Sequence, residues 1–74
     1  MNGKHYNPQK LVEWRDEFGK TQVKVAEIIG VERNTISRAE TGKVASYELL
    51  ATLCKIYGKS IHDLTYSNPV TTAI

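Results

Sequence analysis

Two helical patterns in the middle of this 74-residue chain are separated by only three residues, Gly30-Val31-Glu32. The first runs from about Thr21 to Ile29. Thr21 suits its N-cap, Val25, Ala26 and Ile29 form an apolar stripe, and Gly30 is a natural stop. The second begins near Glu32 or Arg33 and ends at Thr41-Gly42. A connection this short forces the two helices into a steep, nearly perpendicular pair, the helix-turn-helix geometry. Val31 is apolar and is expected to plug the space between them.

The flanking segments read as helices too. Asn7-Pro8 opens one, because Asn can cap and Pro suits the first helical position. Leu11, Trp14, Arg15 and Phe18 recur at helical spacing before Gly19. A fourth helix starts at Ser46, with Leu50, Leu53, Cys54 and Tyr57 on one face and Gly58 as its stop. Ser60-Ile61-His62-Asp63 resembles a weak capping box that opens a short fifth helix through Leu64. No strand, repeat or low-complexity tract is evident. The expected organisation is all-α: an N-terminal arm over 1–7, one helical domain over 8–65 and an extended or frayed tail over 66–74. The expected core is Leu11, Trp14, Val25, Ala26, Ile29, Val31, Ile36, Ala39, Leu50, Leu53, Cys54, Tyr57, Ile61 and Leu64. So small a core is marginal, which leaves room for a second copy to contribute stability.

The segment over 33–41 carries the chemistry. On a wheel at about 100° per residue, Arg33, Asn34, Ser37, Arg38 and Thr41 fall within an arc of roughly 140°. Thr35, Ile36, Ala39 and Glu40 fill the rest. The outer arc thus holds two guanidiniums, a carboxamide and two hydroxyls. Arg can donate two parallel bonds to O6 and N7 of guanine, Asn can bridge N6 and N7 of adenine, and an α-helix fits the major groove. A polar solvent face is the bland alternative. The preceding short turn tips the balance toward double-stranded DNA. Gln22, just inside the second helix, can donate to a phosphate beside the free N–H groups of that terminus, unless it is simply an exposed glutamine. Lys43 offers a point charge to a phosphate or to solvent, and Lys20 and Lys24 are weaker candidates of the same kind.

Composition narrows the classes. One domain is the most that 74 residues and 8.3 kDa allow. The hydrophobic share of 41% and the charged share of 24% describe a globular mixture rather than a disordered chain. The net charge of +2 says little alone, but Glu13, Asp16 and Glu17 cluster early while Lys20, Lys24, Arg33, Arg38 and Lys43 fill the middle third. No apolar run approaches the roughly 18 residues of a membrane span, and the N-terminus does not read as a secretory signal. A single cysteine excludes an internal disulfide and argues for a reduced, cytoplasmic protein. No nucleophile–base pair or metal-ligand cluster is present, Ser37 included, so neither an enzyme nor a cofactor nor a small-molecule ligand is expected.

The run Thr21-Gln22-x-x-Val25-Ala26-x-x-Ile29-Gly30-Val31-x-Arg33-x-Thr35-Ile36-Ser37-Arg38-x-Glu40-x-Gly42-Lys43 resembles the Cro/cI-type phage-repressor helix-turn-helix family, also called xenobiotic-response-element-like. The likeness continues through Ser46-Tyr47-Glu48-x-Leu50 and Tyr57-Gly58-x-Ser60-Ile61-x-x-Leu64, and so spans roughly 8–65. It implies a compact five-helix, lambda-repressor-like domain that docks as a symmetric dimer on a palindromic operator. Base contacts would fall to Arg33, Asn34 and Arg38, with Ser37 and Glu32 nearby. Phosphate contacts would fall to Gln22, Lys43 and backbone N–H groups. An ion pair between Arg15 and Glu40 is also implied, which makes Glu40 scaffold rather than reader. Three departures stand out. Glu32 replaces the usual Ser or Thr cap, Lys20 and Lys59 replace apolar residues where the core is expected to loosen, and Ala39 is small.

Other residues attract blander readings. His5 and His62 lack metal-site spacing, Cys54 is a small hydrophobe, and Trp14, Tyr47 and Tyr57, at helical spacing, read as core sooner than as a ligand platform. Ile28, Tyr66 and the Val70–Ile74 tail are candidates for a dimer contact. The expected function is a sequence-specific, homodimeric transcriptional repressor acting on the nucleoid, with regulation left to concentration, operator arrangement or another polypeptide. An antitoxin or restriction-modification controller on the same fold, and a protein-interaction module that no longer reads DNA, stay open.

Overall fold

A computed structural model describes residues 6–43 and 45–65. They form five helices: α1 (Pro8–Phe18), α2 (Gln22–Ile29), α3 (Arg33–Glu40), α4 (Tyr47–Tyr57) and α5 (Ile61–Thr65). The helix boundaries are local chemistry. Asn7 Oδ1 accepts from the Gln9 N–H, Thr21 Oγ1 from Lys24 and Ser46 Oγ from Leu49, each at 3.1 Å. These bonds satisfy amide groups that a helix start leaves unpaired. Gly19, Gly30 and Gly58 end α1, α2 and α4 in the left-handed conformation. Glu32 occupies the N-cap of α3 without a side-chain capping bond. At α5, Ser60 Oγ accepts from the His62 N–H at 3.0 Å.

The helices close around one core. α2 packs on α3 across the short turn, and α1 packs on α3, α4 and α5. Leu11, Trp14, Val25, Ala26, Ile36, Ala39, Leu50, Leu53, Cys54 and Leu64 are buried. Ile29, Val31, Tyr57 and Ile61 are half-buried around them. Val31 thus lies in the angle of the turn. Phe18 and Tyr57 meet edge to face with ring centroids 5.5 Å apart.

Tyr47 departs from the expected core and is 67% exposed. It lies about 70° from the mean direction of Leu50, Leu53, Cys54 and Tyr57 on the helical wheel, so on the first turn of α4 its side chain leans off the core-facing side. Lys59, placed where the core is expected to loosen, sets its ammonium over the indole: Nζ lies 5.8 Å from the Trp14 ring centroid and 3.4 Å from Glu17 Oε1. The arm expected over 1–7 ends inside the packed unit. The Asn7 N–H donates to the Leu64 carbonyl at 3.1 Å, and Tyr6 Oη donates to the Ala39 carbonyl at 2.7 Å. His5, Tyr66 and the 66–74 tail lie outside the described residues.

Candidate nucleic-acid interface

The site is built on α3, whose two faces differ sharply. Ile36, Ala39 and Glu40 are buried, whereas Arg33, Asn34 and Arg38 are exposed and Ser37 is half-buried. The helical period alone produces this split, because the buried residues recur at i, i+3 and i+4. Burying Ile36 and Ala39 against α1 and α2 leaves the guanidiniums no direction but outward.

Glu40 is the anchor beneath this face. Arg15 Nε donates to its Oε2 at 2.6 Å and Arg15 Nη2 to its Oε1 at 3.1 Å. Gln22 Nε2 donates to the same Oε1 at 2.9 Å. The remaining Arg15 nitrogen, Nη1, donates to the Lys20 carbonyl at 3.0 Å. Hydrogen bonding to Glu40 holds the Arg15 pKa above its ordinary value, against the opposing effect of partial burial. A bidentate arginine–carboxylate pair fixes orientation as well as distance, so α1, α2 and α3 are locked at one point.

The network continues to the surface. Gln22 Oε1 accepts from Arg33 Nη1 at 3.4 Å, and Asn34 Oδ1 accepts from Arg33 Nη2 at 3.2 Å. Gln22 therefore spends its amide nitrogen on the scaffold and its oxygen on the outer arc, an arrangement its place in the sequence does not reveal. Thr41 Oγ1 lies 3.1 Å from the carbonyls of both Ser37 and Arg38, so its proton is held by the end of α3. Lys24 Nζ lies 3.3 Å from Glu27 Oε1 in an exposed i,i+3 pair. Lys20, Lys43 and Glu32 are exposed, and Lys43 follows α3 directly after Gly42. The surface thus gathers Arg33, Asn34, Arg38 and Lys43 around one helix. Ser37 lies at its edge.

Fold and site together define an all-α helix-turn-helix domain whose α3 presents an exposed basic face. The chain belongs to the Cro/cI-type, xenobiotic-response-element-like helix-turn-helix family, whose model, described as helix-turn-helix, matches residues 11–64. Neither a curated protein nor a solved structure matches it. The family is one of DNA-binding regulators. Among the described residues no helix is long and apolar enough to cross a membrane.

Proposed function

We propose that this protein is a sequence-specific, double-stranded DNA-binding repressor that acts as a homodimer on a palindromic operator. The observation that carries this reading is the outward placement of Arg33, Asn34 and Arg38 on a helix whose other face is anchored in the core. In this reading α3 enters the major groove and α2 lies across the backbone. Arg33 and Arg38 read guanine edges and Asn34 reads adenine, with Ser37 and Glu32 beside them. Glu32 accepts from a cytosine amine, or its negative charge simply lowers affinity.

Lys43, Lys20 and Lys24 neutralise phosphates, while the N-terminus of α2 offers free N–H groups to one. Thr41 reaches a phosphate only by releasing the carbonyls that hold its one hydroxyl proton, whereas the Gln22 amide has a second N–H to donate beside the one on Glu40. Two copies place their recognition helices about one helical turn apart, roughly 34 Å.

Selection of bound sequences from a random duplex pool tests this reading. The expected result is an enriched motif with inverted symmetry and half-sites about 10 base pairs apart. Recovery of no motif overturns sequence-specific reading, and recovery of a single asymmetric site overturns the palindrome.

A further inference from the structure

The outward face of α4 is organised in a way the DNA site does not use. Leu50, Leu53 and Cys54 point to the core. Opposite them runs a stripe of Glu48, Ala51, Thr52 and Lys55, spaced i, i+3, i+4 and i+7, the pattern of a helix–helix seam. Its two ends carry opposite charges, about 10 Å apart along the axis, and its middle carries two small residues. Neither Glu48 nor Lys55 has an ion-pair partner among the described residues.

The stripe borders one open groove and lines a second along its whole length. One, of about 360 Å³, is lined on its apolar side by Ile29, Val31, Ala45 and Leu49. The other, of about 440 Å³, includes the exposed Tyr47. Glu48 and Thr52 line both. An occupant must therefore present a base opposite Glu48, an acid opposite Lys55 and small side chains between. A second copy of α4 lying antiparallel meets all three conditions. Centred between residues 51 and 52, it sets Glu48 of each copy against Lys55 of the other and brings Ala51 and Thr52 together at the crossing.

We infer that α4 is the self-association surface of this protein, pairing antiparallel with α4 of a second copy through reciprocal Glu48–Lys55 contacts. A two-fold contact of this kind is self-complementary by construction. It presupposes the two-copy assembly proposed above and specifies where the copies touch. Arg33, Asn34 and Arg38 line neither groove, so the pairing leaves the recognition face free.

Sedimentation equilibrium of the 74-residue protein and its variants at low salt tests the contact. Glu48→Lys and Lys55→Glu each turn two attractions into two repulsions and are expected to weaken self-association by about tenfold. The double variant restores it, and the two single variants mixed together associate with each other. Glu13→Lys makes the same change of net charge as Glu48→Lys, but on α1, and leaves association unchanged. Thermal unfolding separates association from helix stability. Glu48 and Lys55 sit at the ends of α4 that the helix dipole favours, so the double variant lowers stability while restoring the dimer. A dimer indifferent to the single variants overturns the α4 contact and leaves the two-copy reading standing. A monomer at millimolar concentration, free and on duplex, overturns both.

Discussion

Arg15 reaches from α1 to grip both carboxylate oxygens of Glu40, the last residue of α3, at 2.6 and 3.1 Å. The Glu40 side chain is 4% exposed and that of Arg15 19%. The pair is therefore mostly out of water, and its disruption strands a charge.

Removing one partner should cost more than the pair contributes. Glu40→Ala is expected to lose about 2–4 kcal/mol, below the full range for a buried pair because Arg15 keeps some water and the Lys20 carbonyl. Arg15→Ala should cost at least as much, because the more deeply buried carboxylate is then left with Gln22 alone. Replacing both by Met and Leu should recover much of the loss. Urea unfolding midpoints of the four proteins check this, and a loss under about 0.5 kcal/mol for either single variant contradicts it.

Arg38 and Lys43 should separate base reading from backbone attraction. Arg38→Ala is expected to lose about 1–3 kcal/mol of binding and relax preference at one base position. Lys43→Ala should weaken binding evenly across sequences and lower the salt dependence by about one ion. Titrations at several salt concentrations, on the preferred duplex and on single-base variants, distinguish the two. Neither change should alter stability, since both side chains are exposed.

Gln22→Ala should weaken binding to every duplex without changing the preferred base, if the phosphate role holds. Gln22 also touches Arg33, at 3.4 Å. A changed preference at one base position therefore indicates that Gln22 acts by orienting Arg33. Repeating the pool selection with the variant decides which.

Tyr57 sets an alkaline limit. Burial, with the Glu40 charge adding to it, pushes its phenol from 10.0 up to about 12. The folded protein thus holds the proton more tightly than the unfolded chain. That contribution is fully present below pH 10 and is lost as pH rises toward 12. The buried hydroxyl has no hydrogen-bond partner among the described residues. Tyr57→Phe should therefore leave stability at pH 7 unchanged or slightly raised. It should also make the fall above pH 10 shallower, leaving the shares of Tyr6 and Cys54, whose pKa values burial also raises. An equally steep fall in the variant contradicts this assignment.

Gly42 should tolerate substitution less well than Gly58. Both have left-handed backbones, with φ of 77° and 73°. A side chain at either carries a strain of about 1 kcal/mol. A Cβ at Gly42 also comes within 3.2 Å of Pro8 Cγ, whereas at Gly58 it meets nothing within 4 Å. Gly42→Ala is thus expected to lower the melting temperature more than Gly58→Ala. Equal shifts would show that Pro8 yields freely.

The amino-acid sequence by itself determined what depends on near neighbours. Asn7, Thr21 and Ser46 bond amide groups two or three residues away, so the helix starts could be read directly. Helical period likewise separated Ile36 and Ala39 from Arg33 and Arg38. Residue chemistry alone left Arg15 and Glu40 unpaired, and only family resemblance linked them. Tertiary structure decided what joins residues far apart in the chain. Gln22 meets Glu40 across 18 positions and Tyr6 meets the Ala39 carbonyl across 33, and no local pattern encodes either distance. It also decided Tyr47, whose turn of α4 packs through Leu49 and Leu50 while Tyr47 itself stays exposed. Periodicity gives a side chain's direction around its helix, and only the packed neighbours decide whether anything stands there to cover it.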